Sequence, residues 1–313
     1  MKIKNSEIVV YTFYRFKNIK NINKIKQRVD NKLKKYKSLK GTILIATEGI
    51  NGSLAGVEDD VETALNNIKN ILRIRKLSLK INSCDFIPFY KLRTKIKKEI
   101  VSLGVTGIDV SKKTGKYINA SKWNNIITDK KVTTIDIRNK YERKIGYFKN
   151  SKNIKMNSFK EFPKIVKDLN LNKKSKIAMY CTGGIRCEKA SSYLINEGFT
   201  NIIQLEGGII NYLNENKSKN LWNGECFVFD NRVSINSKLS QGKYKQCHGC
   251  RSPISKDDMQ SSMYVRGVSC PNCYINKSDK QKKRYATRQS QIDIAEKNLK
   301  NHSFKKIFLN DLS

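Results

Sequence analysis

The stretch YCTGGIRCEKAS, Tyr180 to Ser191, decides how the middle of this chain is read. The apolar run KIAMY before it reads as a strand, and the residues from Arg186 onward have helical spacing. Cys181 therefore stands where a strand hands over to a helix. Gly183 and Gly184 let the backbone between them curl, so that successive N–H groups face one centre. The helix N-terminus adds partial positive charge and Arg186 a full one. Such a setting lowers a thiol's pKa and stabilises an anion on sulfur. Cys181 is expected to act as a thiolate nucleophile or persulfide carrier, with Arg186 supporting the anion and Thr182, Gly183, Gly184 and Ile185 forming the anion loop. Cys187 sits one turn into the helix, either resolving an oxidised Cys181 or facing the core.

Outward from this loop, strands and helices alternate. KVTTIDIRN is a strand ending in Asp136 and Arg138, and NIIQLEGGIINYL gives a strand, a Gly-Gly turn and a helix. That alternation predicts a parallel sheet covered on both faces over residues 117–216. Asp136, Arg138 and Glu142 are read as a structural network. Residues 1–105 follow a different order, β-α-β-β-α-β, which predicts a small ferredoxin-like α+β domain. Within it, Glu48-Gly-Ile-Asn-Gly52 is read as a turn between two strands, without chemistry. The segment VTGIDVSKKTGK reads as a linker.

The region 217–313 has few apolar runs and little capacity for a core of its own. It carries CHGC at 247–250 and CPNC at 270–273. Two CxxC pairs can close a tetrahedron around Zn²⁺, so Cys247, Cys250, Cys270 and Cys273 are expected to hold one structural zinc, with no open position for chemistry. Cys84 and Cys226 read as buried apolar residues. A polar helix follows, and Lys282, Lys283, Arg284 and Arg288 on it are candidate RNA contacts, or else a solvated face.

Composition sets limits. Lysine and arginine number 63 against 27 acids, a net charge of +36 that attracts polyanions, nucleic acid first among them. The excess is mostly lysine with abundant asparagine and isoleucine, a bias that an AT-rich genome also imposes, so charge alone leaves both explanations open. No apolar run approaches the ~20 residues of a membrane span. The N-terminus lacks the apolar core of a signal peptide, and a soluble cytoplasmic protein is expected. Eight cysteines in such a chain point to metal or catalysis rather than disulfides.

Two resemblances sharpen the reading. Asp136-Ile-Arg-Asn139, Tyr141-Glu142, Gly146 and Phe148, the Cys181–Arg186 loop and Leu205-Glu-Gly-Gly-Ile209 resemble the rhodanese pattern. Tyr147 stands where that family has histidine, and Ser151 where it has alanine. Related phosphatases have one residue more between cysteine and arginine, so the shorter loop suits a sulfur atom better than a phosphate. Over nearly the whole chain, GTILIATEGINGSLAG, MYCTGGIRCEKASSYL, LWNGECFVFDNRVSI, GVSCPNC and KKRYATRQSQ resemble the bacterial rhodanese-like tRNA uridine hydroxylases. That resemblance implies oxygen-dependent conversion of the wobble uridine of tRNA to 5-hydroxyuridine, with O2 as cosubstrate and tRNA as partner. Tyr274 stands where that family has a histidine after the last cysteine. A sulfurtransferase passing persulfide sulfur from Cys181 is the reading the loop alone suggests. The residues show no organic-cofactor motif: no GxGxxG opens a helix after a strand, and His248 and His302 are the only histidines, too few beside a carboxylate for an iron oxygenase. No protein partner is indicated.

Overall fold

The computed structural model describes residues 8–298 and 305–311, so His302 lies outside the described residues. The N-terminal part runs β1 (Ile8–Phe16), α1 (Ile22–Leu33), β2 (Lys40–Ala46), β3 (Gly49–Val57), α2 (Glu58–Leu72), β4 (Ser78–Cys84), β5 (Phe86–Ile87) and β6 (Leu92–Ile96). Its sheet has the order β4-β1-β3-β2-β6, antiparallel except for the parallel β2–β6 pair. Side chains alternate along β1. Val9, Tyr11 and Phe13 pack on one face against Val29 and Leu33 of α1 and Ala64 and Ile68 of α2. Tyr14 and Phe16 point the other way and pack with Ala46, Ile100, Val110 and Ile185. That second face meets the middle of the chain.

The middle part contains β7 (Lys116–Ile118), α3 (Ala120–Thr128), β8 (Val132–Asp136), α4 (Lys140–Arg143), β9 (Gly146–Phe148), β10 (Lys152–Asn153), α5 (Phe162–Asp168), β11 (Lys176–Tyr180), α6 (Ile185–Asn196), β12 (Ile202–Leu205) and α7 (Gly208–Glu215). The sheet order is β10-β8-β11-β12-β7, all parallel. β11 is central, and Ile177 to Tyr180 are all buried, as a strand covered on both faces requires.

The remaining chain contributes β13 (Trp222–Gly224), β14 (Cys226–Phe227), β15 (Ser234–Ile235), β16 (Lys245–Gln246), β17 (Pro253–Ile254), α8 (Lys256–Gln260), α9 (Asp279–Lys297) and β18 (Ile307–Phe308). β13 pairs with β9, and Trp222, Cys226, Val228 and Ile235 join the core that holds Phe148 and Tyr180. Packing is therefore continuous across residue 216. β18 pairs with β5 of the N-terminal part. No described helix is long and apolar enough to cross a membrane.

Two local expectations need correction. Gly49-Ile50-Asn51-Gly52 is not a turn: it lies within β3, and the chain reverses at Thr47 and Glu48. The glycines there serve close approach, since a Cβ on Gly49 would lie 2.2 Å from the Arg15 carbonyl oxygen across the sheet. The segment read as a linker is tied down as well. Val110 is buried, and the Gly115 amide donates to Ser191 Oγ of α6 at 2.9 Å.

Candidate active site

Cys181 is the first residue after β11, at the carboxyl edge of the parallel sheet, where open α/β sheets place their ligands. Gly184 adopts φ 99° and closes the curl into α6, and its amide donates to Cys181 Sγ at 3.1 Å. The loop is braced from below by the start of α7. The amides of Ile209 and Ile210 donate to the carbonyls of Cys181 and Thr182. Gly208, at φ 70°, admits no side chain, because a Cβ would lie 2.6 Å from the Cys181 carbonyl oxygen. Around Gly183, in contrast, a Cβ would meet no atom within 4 Å, so the loop's open side is there.

The electrostatics of the sulfur follow from these contacts. Burial raises the Cys181 pKa, but the Cys187 thiol, the Arg186 charge and the amides of Cys187 and Gly184 outweigh it and bring the thiol down to about 5. The Cys187 thiol moves the opposite way, pushed well up by burial and by its own hydrogen bond to Cys181. At neutral pH Cys181 is therefore held as the thiolate and Cys187 as the thiol.

Arg186 does not bond the sulfur. Its guanidinium forks onto Glu142, with both N···O distances 2.7 Å and both side chains buried. Glu142 also accepts from Thr182 Oγ1 at 3.3 Å. The arginine thus acts on Cys181 through its field, while its hydrogen bonds fasten the loop to α4. Asp136 and Arg138 form a second buried pair at 2.7 Å, and Asp136 accepts from Tyr180 Oη at 2.8 Å. Ser151 continues that network, sharing a 2.7 Å hydrogen bond with Tyr180 Oη.

Residues far away in sequence complete the site. Tyr14 Oη donates to Glu188 Oε1 at 2.7 Å, and a Cβ on Gly184 would lie 2.9 Å from Tyr14 Oη, so the N-terminal sheet roofs the loop. Lys80 lies on the same face of that sheet, its Nζ 4.8 Å from the centre of the Tyr14 ring. Burial lowers the Lys80 ammonium to about 8, although the negative charges of Cys181 and Glu188 oppose that fall. Below the roof, buried Lys189 donates to Glu48 Oε2 at 2.7 Å, to Glu99 Oε2 and to the Val101 carbonyl at 3.0 Å. Glu48, expected to sit in an inert turn, therefore clamps the two parts together. Sequence reading missed Tyr14, Lys80 and the Glu48–Lys189–Glu99 cluster, because no local spacing links residues so far apart.

The other expected residues fall into two groups. Cys247, Cys250, Cys270 and Cys273 converge, with all ligand atoms within 4.8 Å of one another. Sulfur–sulfur separations of 4.0 Å (Cys247–Cys273), 3.8 Å (Cys250–Cys270) and 3.9 Å (Cys270–Cys273) match the ~3.8 Å edge of a tetrahedron with metal–sulfur bonds near ~2.3 Å. The cluster can hold a metal ion. Lys282, Lys283, Arg284 and Arg288 all lie on α9 but do not act alike. Lys283 and Arg284 are exposed, Lys282 Nζ sits 4.0 Å from the Tyr274 ring centre, and Arg288 is a strap, donating to the Gly267 carbonyl at 2.7 Å and the His248 carbonyl at 3.3 Å.

Two family models match parts of the chain. Residues 8–100 match the UPF0176 acylphosphatase like domain, and residues 119–215 match the rhodanese-like domain. Among solved structures, a rhodanese-related protein from Thermoplasma volcanium is 31% identical, with 32% of this chain and 93% of that one covered and a TM-score of 0.28. A rhodanese-like domain protein from Staphylococcus aureus is 26% identical, covering 31% of this chain and 90% of its own, with a TM-score of 0.27. The tRNA uridine(34) hydroxylase of Pelagibacter ubique is 46% identical over 302 residues, which span 96% of this chain and 99% of that protein. An acylphosphatase-like domain joined to a rhodanese domain, with identity of that extent over 96% of the chain, means that the chain belongs to the tRNA uridine(34) hydroxylase family.

Proposed function

We propose that this protein hydroxylates C5 of the wobble uridine of tRNA, consuming O2, with the Cys181 thiolate as the essential group. The observation that carries the reading is the sulfur's setting: a fully buried thiol brought down to about 5, under a loop with free space beside Gly183. A thiolate in that position can add to C6 of a uracil ring and enrich C5 in electrons, the carbon to be oxidised. Arg186 stabilises the anion by its charge and, through Glu142, holds the loop in shape. Insertion of one oxygen atom leaves the other to be reduced to water, which takes two electrons and two protons from a reductant other than Cys181, whose sulfur is engaged with the ring.

The reading divides the chain into an N-terminal roof, a central catalytic unit and a cysteine-bearing tail that holds structural zinc. tRNA is captured by phosphate contacts outside the pocket, since a site sized for one base supplies little affinity for a folded polyanion. Of the four α9 cations named above, Lys283 and Arg284 are the exposed ones that can make them. An anticodon loop offers unstacked bases, so one uridine can enter without melting a duplex. Such an enzyme works in the cytoplasm, where tRNA is modified.

Nucleoside analysis of tRNA from a deletion strain, complemented with the parent or with Cys181→Ser, tests this. Loss of 5-hydroxyuridine derivatives, restored by the parent but not by the serine variant, is expected. Loss of thiolated uridines instead would make the protein a sulfurtransferase.

A further inference from the structure

A groove of about 530 Å³ lies where the three parts of the chain meet. One wall is the Phe89–Arg93 segment of the N-terminal part, another is Tyr141 with the Phe227–Asn231 turn, and the third is the cysteine knuckle at Gln246–Arg251. Its chemistry is of two kinds. Phe229 is an aromatic ring left 63% exposed, standing edge-on to buried Phe227 at 5.1 Å, and Tyr90 and Tyr141 line the same space. Lys91, Arg93 and Arg251 are exposed cations that form no ion pair among the described residues. Asp230 is the acid of the lining, and it is buried and neutralised by Arg232 at 2.6 Å. The groove therefore presents aromatic faces and net positive charge.

The groove also abuts the catalytic loop. The Arg186 guanidinium lies over the Phe229 ring at 5.6 Å, and Tyr141 precedes Glu142, the carboxylate that Arg186 grips. Aromatic platforms interleaved with unpaired cations are the chemistry of single-stranded nucleic acid, whose bases stack on rings while cations follow the phosphates. A duplex hides its base faces and gains nothing from the rings. The volume falls within the ~300–1,000 Å³ of sites that enclose small ligands, a scale suited to one or two nucleotides.

We infer that this groove binds an unstacked single-stranded RNA segment, namely the nucleotides flanking the uridine presented to Cys181, with Phe229 as the stacking platform and Lys91, Arg93 and Arg251 as phosphate contacts. The inference rests on the tRNA reading above and adds to it the site that holds the loop open beside the catalytic cysteine.

The test is direct binding, independent of turnover. Full-length metal-loaded protein is titrated with labelled single-stranded oligouridylate and, separately, with an RNA duplex of equal length. Loss of one stacked base, worth about 1–3 kcal/mol, predicts that Phe229→Ala weakens single-strand binding by about 5- to 150-fold. Phe229→Tyr keeps the ring and should restore it. Lys91→Ala with Arg93→Ala should weaken the single strand and flatten its salt dependence. Duplex binding through flanking lysines should change by less than about twofold in Phe229→Ala, because no base stacks there. If the single strand binds parent, Phe229→Ala and the double variant equally, the groove is not an RNA site, whatever the nucleoside analysis gives. If single-strand binding falls as expected while tRNA in the deletion strain keeps 5-hydroxyuridine, the groove stands and the hydroxylase reading fails.

Discussion

Replacing Cys187 with alanine should raise the pH at which Cys181 ionises. In the parent, burial opposes the thiolate, and the Cys187 thiol, the Arg186 charge and two loop amides overcome it, bringing the thiol from 9.0 to about 5. Alanine removes only the Cys187 donor, since the amide hydrogens belong to the backbone. A hydrogen bond to a charged group contributes about 1.5–3 kcal/mol, and about 1.4 kcal/mol corresponds to one pH unit. The midpoint should therefore climb by about one to two pH units. Cys187→Ser retains a hydroxyl donor and should fall between the parent and the alanine variant. Thiolate ultraviolet absorbance against pH reads the midpoint when the curve of each protein also carrying Cys181→Ser is subtracted, so that the other cysteines cancel. The stability consequence has a definite sign. A thiol depressed in the folded state contributes stability that is fully present above its unfolded value of 9.0 and is lost as pH falls through about 5. In Cys187→Ala the loss still begins below 9.0 but should be complete at a higher pH than in the parent, and its total should be smaller. A Cys187→Ala midpoint equal to that of the parent would refute the reasoning and assign the depression to Arg186 and the amides alone.

Glu142→Gln should destabilise the protein by about 3 kcal/mol or more in denaturant unfolding, because it leaves the buried Arg186 guanidinium without a counter-charge; a loss under about 1 kcal/mol would show the pair to be dispensable to the fold. Lys189→Met should loosen the N-terminal sheet from the central parallel-sheet unit, detected as new protease cleavage near residues 97–116 with the Cys181 environment altered. Burial raises the Glu99 pKa, but hydrogen bonds from Lys189 and the Leu103 amide bring it below 4.5 overall. Its contribution is thus present above pH 4.5 and lost as pH falls through the depressed value, and Lys189→Met should flatten that acid limb of the stability curve. Metal analysis should find about one zinc per chain, and Cys270→Ser should open protease sites after about residue 240 rather than at 217, because Trp222 to Ile235 stay packed in the central core. Neutralising Lys283 and Arg284 should weaken tRNA binding and reduce its salt slope by about two, while adding Arg288→Ala should also disturb the knuckle that Arg288 straps; binding unchanged at every salt concentration would remove α9 from RNA capture.

What the sequence determined by itself was local. A cysteine between a buried strand and a glycine curl, a helix from about Arg186 and two CxxC pairs are readable because their physics acts over a few residues. The order of periods likewise predicted an α+β domain followed by a parallel sheet, but not the parallel β6 at the edge of the first sheet. The same local rule misled at Gly49–Gly52, where glycines serve close contact between strands rather than a turn. Tertiary structure decided the partners of charges. Arg186 turns to Glu142 rather than to the sulfur because a buried guanidinium is best satisfied by a planar carboxylate held at matching geometry, and only the packing of α4 against the loop supplies one. Tyr14 meets Glu188, 174 positions away, because period-two alternation along β1 sends it to the face that the folded chain lays over Cys181. Which sheet face would meet which loop is not encoded in any window of sequence. It follows from how three cores bury their remaining apolar surface, and that burial is a property of the whole chain.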